Sequence, residues 1–169
     1  MSTAGEKTMP KTEYTVEPGK QEIIITRDFD APRELVFKAF TDPKLVSQWL
    51  GPREYSTTVD KMEARPGGLW RFVQRNEKGD EFAFHGVHHD VVAPERIVAT
   101  FEFEGIPGHV LLQTVRFEPL GQKTRLVEQL LFQSVADRDG MVASGMQRGS
   151  DDSMDRMAEI LENLKARRA

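Results

Sequence analysis

Glu22-Ile23-Ile24-Ile25-Thr26-Arg27-Asp28-Phe29-Asp30-Ala31-Pro32-Arg33-Glu34-Leu35-Val36-Phe37 is the stretch that decides the fold. Its first half is β-branched and bounded by turn residues, which predicts a strand over 22–29. Its second half turns helical at once. Asp30 can cap, Pro32 suits a helix start, and Val36, Ala39 and Phe40 fall on one face. Thr41-Asp42-Pro43 stops that helix and starts a second short one, which ends at Trp49-Leu50-Gly51-Pro52.

Outward from there the pattern changes to strand after strand. Tyr55–Glu63, Leu69–Arg75, Phe82–Val92, Ile97–Phe103, His109–Glu118 and Thr124–Phe132 are separated by short turn signals such as Arg65-Pro66-Gly67-Gly68 and Gly105-Ile106-Pro107-Gly108. Ile97, Ala99, Phe101 and Phe103 alternate with Val98, Thr100 and Glu102, a period of two. Connections this short predict antiparallel meander neighbours. Gly86, inside the longest strand, predicts a bulge. Ser134-Val135-Ala136-Asp137 has the form of a capping box and opens one long helix to about Ala166. Met146, Ser150, Ser153, Met157, Ile160, Leu161 and Leu164 approximate its 3.6-residue period, with Asp151, Asp155, Glu159 and Glu162 on a solvated face.

The expected architecture is therefore α+β: a curved antiparallel sheet of six to seven strands around a long C-terminal helix, the helix-grip arrangement. Residues 20–169 form one domain. Residues 1–19, polar and without an apolar run, read as a disordered tail rather than a secretory signal.

Composition narrows function. The chain has 169 residues, 38% hydrophobic and 30% charged, enough for one domain with a real core. A net charge of −4 argues against a nucleic-acid surface. Cysteine is absent, which excludes disulfides, thiol nucleophiles and cysteine zinc sites and fits a cytoplasmic protein. No apolar run approaches the roughly 20 residues that span a bilayer, so no membrane insertion is expected.

Four segments in order carry a resemblance. They are Asp30 to Phe37 with Thr41-Asp42-Pro43 and Gln48-Trp49-Leu50-Gly51-Pro52; Arg65-Pro66-Gly67-Gly68-Leu69-Trp70-Arg71; Pro94-Glu95-Arg96-Ile97-Val98; and Gly149 to Leu161. Together they resemble the START-like superfamily, and within it the family named for the activator of heat-shock-protein-90 ATPase. The resemblance implies a cavity, usually apolar, between sheet and long helix.

The residues that could carry chemistry divide into two sets. His85 and His89 share a strand face unless a bulge intervenes, His88 points the other way, and His109 lies on a nearby strand. With mid-strand Glu128 they could serve an enzyme of the cyclase or dehydratase type, but no motif places any two together, so neither a catalytic nor a metal site is assigned. Arg71 and Arg75 could pair with a ligand carboxylate or face solvent. The apolar set is more informative. Trp70, Phe72, Ile97, Ala99, Phe101, Val115, Phe117, Met146, Ser150, Met154 and Met157 are the expected lining of an apolar cavity, where serine and methionine on the helix leave volume and repack. The reading that follows is a non-catalytic binding protein for a lipid, sterol or aromatic, with no cofactor. A protein-interaction module, possibly chaperone-linked in the sense of the resemblance, and the acid–base enzyme stand as alternatives.

Overall fold

The computed structural model describes residues 10–168. Eight strands form one sheet: β1 (Glu13–Thr15), β2 (Glu22–Phe29), β3 (Ser56–Met62), β4 (Leu69–Arg75), β5 (Glu81–Val92), β6 (Arg96–Phe103), β7 (Val110–Leu120) and β8 (Lys123–Leu131). Their spatial order is β1-β2-β8-β7-β6-β5-β4-β3, with every pairing antiparallel. Helices α1 (Arg33–Thr41) and α2 (Pro43–Trp49) lie between β2 and β3, and α3 (Val135–Ala143) and α4 (Met146–Arg168) follow β8. This is the expected helix-grip fold with one strand more than six to seven. Among the described residues no helix is long and apolar enough to cross a membrane.

Alternation decides which side of the sheet is buried. Ile23, Ile25, Arg27 and Phe29 on β2, and Thr124, Leu126, Glu128 and Leu130 on β8, all point to the face that carries the helices. Phe29, Val36, Val115, Phe117, Leu126, Met154, Met157 and Leu161 join α1, α2 and the second half of α4 into the main core. Each large side chain buried there contributes about 1.5–3 kcal/mol. A smaller cluster, Ile23, Ile25, Leu111, Leu130 and Phe132, packs toward α3 and the start of α4.

The α1–α2 corner is held by polar ties to the C-terminal helix. The Trp49 indole donates to the Ala39 carbonyl at 2.8 Å. The Gly51 amide donates to Ser153 Oγ at 2.8 Å, and Arg156 donates to the Gly51 carbonyl at 3.0 Å. α4 from Ser153 onward is thus clamped over one end of the sheet.

Four expectations are corrected. Part of the segment read as a disordered tail is β1, whose Tyr14 pairs with Ile25; residues 1–9 lie outside the described residues. Two side-chain anchors explain the ordering: Tyr14 donates to Asp151 at 2.8 Å, and Thr12 accepts from buried Arg27 at 3.0 Å. The C-terminal helix is two helices, broken at Ser144-Gly145, where Gly145 takes φ +81° and leaves the helical region. Asp30 caps nothing at the start of α1, where Pro32 stands at the N-cap position without a side-chain bond. Gly86 is not a bulge; β5 bulges between His88 and Asp90. Gly86 is small because a Cβ there would lie 1.9 Å from the Thr100 carbonyl oxygen.

Candidate binding surface beneath the C-terminal helices

The register places aromatic side chains side by side on the helix-bearing face. Trp70 pairs with Gly86 and Phe72 with Phe84 across β4 and β5, while Phe84 pairs with Phe103 across β5 and β6. Ring centroids are 4.7 Å apart for Trp70–Phe72, 5.7 Å for Trp70–Phe101, 5.3 Å for Phe84–Phe101 and 5.2 Å for Phe84–Phe103. Trp70 is buried, but the four phenylalanines are only half-buried. The indole fits because Gly86 presents no side chain beneath it. The result is a continuous aromatic floor that still faces outward.

The cover over this part of the sheet is loose. In α4 the buried residues are Ser153, Met154, Met157 and Leu161, all past its first turn. Met141, Val142, Met146 and Ser150 are half-buried, and in α3 the one buried residue is Arg138. Ser134 caps α3 by accepting from the Asp137 amide at 3.0 Å. Asp137 does not complete the expected capping box; it pairs with His109 at the start of β7, at 3.0 Å.

The expected lining residues therefore divide. Trp70, Phe101, Met146 and Ser150 surround the loosely covered region, and Phe72, half-buried beside Trp70, packs against the main core. Ile97, Val115, Phe117, Met154 and Met157 belong to the filled main core, with Phe117 stacked edge-on against Phe37 at 5.2 Å. Ala99 is buried between Gln113 and His88 on the neighbouring strands. Two hollows lie elsewhere. One, of about 210 Å³, sits on the opposite face of the sheet among Glu22, Ile24, Thr114, Arg116, Val127 and Gln129. The other, of about 100 Å³, is a notch between α2 and the end of α4.

The titratable groups separate by face. His85 lies on the far side of the sheet from the helices, between Glu104 at 3.0 Å and Glu102 at 3.2 Å. Arg71, bonded to Glu104 at 2.8 Å and to Asp60 at 3.2 Å, belongs to the same surface network, and Arg75 pairs with Glu81. Hydrogen bonds from Arg71 and His85 hold the Glu104 carboxyl down at about 2. His89 is exposed at the β5 bulge. His88 is buried, and its Nδ1 has no hydrogen-bond partner; burial lowers its pKa. Glu128 is the deepest acid. Burial pushes it up to about 7. Among the described residues no group of three potential ligands could hold a metal ion.

Three members of this surface were not in the expected lining. Phe84 and Phe103 share the alternation that places Phe101 inward, so that signal could have found them. Gln113, pointing inward from β7 between Leu111 and Val115, looks from sequence like any polar strand residue.

The family model for Activator of Hsp90 ATPase homolog 1-like proteins matches residues 30–162. The chain belongs to this family. That span contains α1 through most of α4 and excludes β1 and β2. Solved structures share the fold. The AHSA1 protein from Silicibacter pomeroyi superposes with a TM-score of 0.70 at 20% identity, over 83% of this chain and 97% of its own. A protein from Rhodobacter sphaeroides gives 0.83 at 23% identity, over 90% and 99%. One from Chromobacterium violaceum gives 0.74 at 26% identity, over 84% and 97%. No curated protein matches.

Proposed function

We propose that this member of the Activator of Hsp90 ATPase homolog 1-like family is a non-catalytic binding protein for a small hydrophobic ligand: a lipid, a sterol or an aromatic. The observation that carries this reading is the half-buried aromatic floor of Phe72, Phe84, Phe101 and Phe103 around Trp70, under a weakly packed helical corner. Edge-to-edge aromatic surface of this kind gains free energy when covered by an apolar body, about 25 cal/mol per Å² removed from water. Hydrophobic ligands are typical of the family. Ligand access would come from displacement of α3 and the first turn of α4, whose one buried side chain is Arg138, rather than of α4 from Ser153 onward.

The acid–base alternative loses support from geometry. His85 faces away from Glu128 across the sheet and His89 is exposed at a bulge, so the three residues do not converge.

The test is a chemical-shift titration against fatty acids, sterols and flat aromatics, with product assays run in parallel. Saturable shifts at Trp70, Phe101 and Met146 without turnover are expected. Shifts confined to the opposite face of the sheet, or silence across the whole panel, would overturn the reading.

A further inference from the structure

The helix-bearing face carries a diagonal that changes character from one end to the other. Glu128 on β8 stands opposite Val115 on β7, and Gln113 is two residues along from Val115. Gln113 stands opposite Ala99 on β6, and Phe101 is two residues along from Ala99. Phe101 in turn stacks on Phe84 of β5 at 5.3 Å. Diagonal neighbours on one sheet face lie about 7–8 Å apart, within reach of long side chains. A carboxyl, a primary amide and two phenyl rings thus follow one another across four strands.

The polar end of this diagonal is unfinished. Glu128 is 6% exposed, and among the described residues its carboxyl holds no hydrogen bond. The Gln113 amide, half-buried beside it, holds none either. Buried polar groups are ordinarily satisfied by a partner. Burial also favours the neutral acid here. A neutral carboxyl offers one O–H donor and an acceptor oxygen, and a primary amide two N–H donors and an acceptor oxygen. A ligand carboxylate would add a second acid beside Glu128, and Arg27, the buried cation on the adjoining strand, is already paired with Asp155 at 2.9 Å.

We infer that Glu128 and Gln113 are the polar anchor of the site, and that its ligand is an uncharged, mainly apolar ring compound whose hydroxyl or keto group hydrogen-bonds them while its rings cover Phe101 and Phe84. This rests on the binding reading above and selects within it, for neutral oxygenated rings and against fatty-acid anions.

Three probes with one two-ring body test it: naphthalene, 2-naphthol and 2-naphthoate, titrated about one pH unit below the Glu128 midpoint, where that carboxyl is protonated and 2-naphthoate is an anion, and followed at the Trp70 indole N–H and the Gln113 side-chain amide. The expected order is 2-naphthol at least as tight as naphthalene, with 2-naphthoate about tenfold weaker or worse. Glu128→Leu and Gln113→Leu should each weaken 2-naphthol about tenfold relative to naphthalene. Glu128→Gln, which keeps a neutral donor and acceptor, should retain the preference and guards against a folding artefact in the leucine variants. Binding of naphthalene with no response of the 2-naphthol ratio to any of these changes would overturn the anchor and leave the hydrophobic site standing. Tightest binding of 2-naphthoate would overturn the anchor too. Binding of none of the three would overturn both.

Discussion

Trp70 and Gly86 face each other across β4 and β5 so closely that a Cβ on residue 86 would lie 2.7 Å from the indole nitrogen. The same Cβ would lie 1.9 Å from the Thr100 carbonyl oxygen, a backbone atom that cannot swing aside. Gly86→Ala is therefore expected to destabilise the fold by about 1–3 kcal/mol or more and to shift the Trp70 indole resonance. An unchanged urea midpoint would contradict the packing of the aromatic floor.

Glu128 makes stability depend on pH in an unusual direction. Its folded pKa is about 7 against an ordinary 4.5, so between those values the folded state holds a proton that the unfolded state releases. Stability is then lost as pH rises through that window. The cost is absent below about 4.5 and complete above about 7, on the order of 3 kcal/mol. Glu128→Gln is expected to exceed the parent in stability at pH 8 and to match it near pH 4.5. Equal differences at both pH values, from denaturant melts, would place the carboxyl in contact with water or a cation.

Deletion of residues 1–19 is expected to lower the melting temperature measurably. It removes the β1 ladder, the Tyr14 bond to Asp151 and the Thr12 acceptor of buried Arg27. Arg27 would then keep only Asp155 at 2.9 Å, with two further buried nitrogens already unpartnered. Retention of full stability by calorimetry would show that these contacts contribute nothing.

Met157 and Met146 should respond oppositely to the same change. Met157 is fully buried in the main core, so Met157→Ala should cost about 2–5 kcal/mol. Met146 is half-buried at the start of α4, so Met146→Ala should cost well under that and act on ligand affinity instead. Comparable losses of stability in the two variants would show that the α3–α4 corner is packed as firmly as the rest.

The fold was legible because periodicity reports burial. Alternation in Ile97 to Phe103, the Pro32 and Pro43 helix starts, and the glycine turns each acted locally and agreed with the final sheet. The break at Gly145 was less visible, since the apolar spacing of Met141, Met146 and Ser150 continues across a residue that leaves the helix. β1 was invisible because its order comes from tertiary partners, the ladder to β2, buried Arg27 at Thr12 and, 137 residues away, Asp151 at Tyr14. The binding surface was half legible: type and alternation marked Trp70 and Phe101, but nothing local says that Phe117 meets α1 and is filled while Phe84 is not. Register across four strands is what brings Glu128 to Gln113.

The pairing of β2 with β8 also sets a timetable. Glu22 meets Leu131 and Phe29 meets Thr124, so 95 to 109 residues separate the partners. At about 5–20 residues per second of synthesis, the inward row Ile23, Ile25 and Phe29 waits on the order of 5–20 s before its partner strand is made. During that interval β2 is an open, sticky edge with nothing but β1 along its other side. The nascent chain is then a client for holding factors, and crosslinking on ribosomes stalled before Lys123 should capture β2 in contact with them, with release once β8 has emerged.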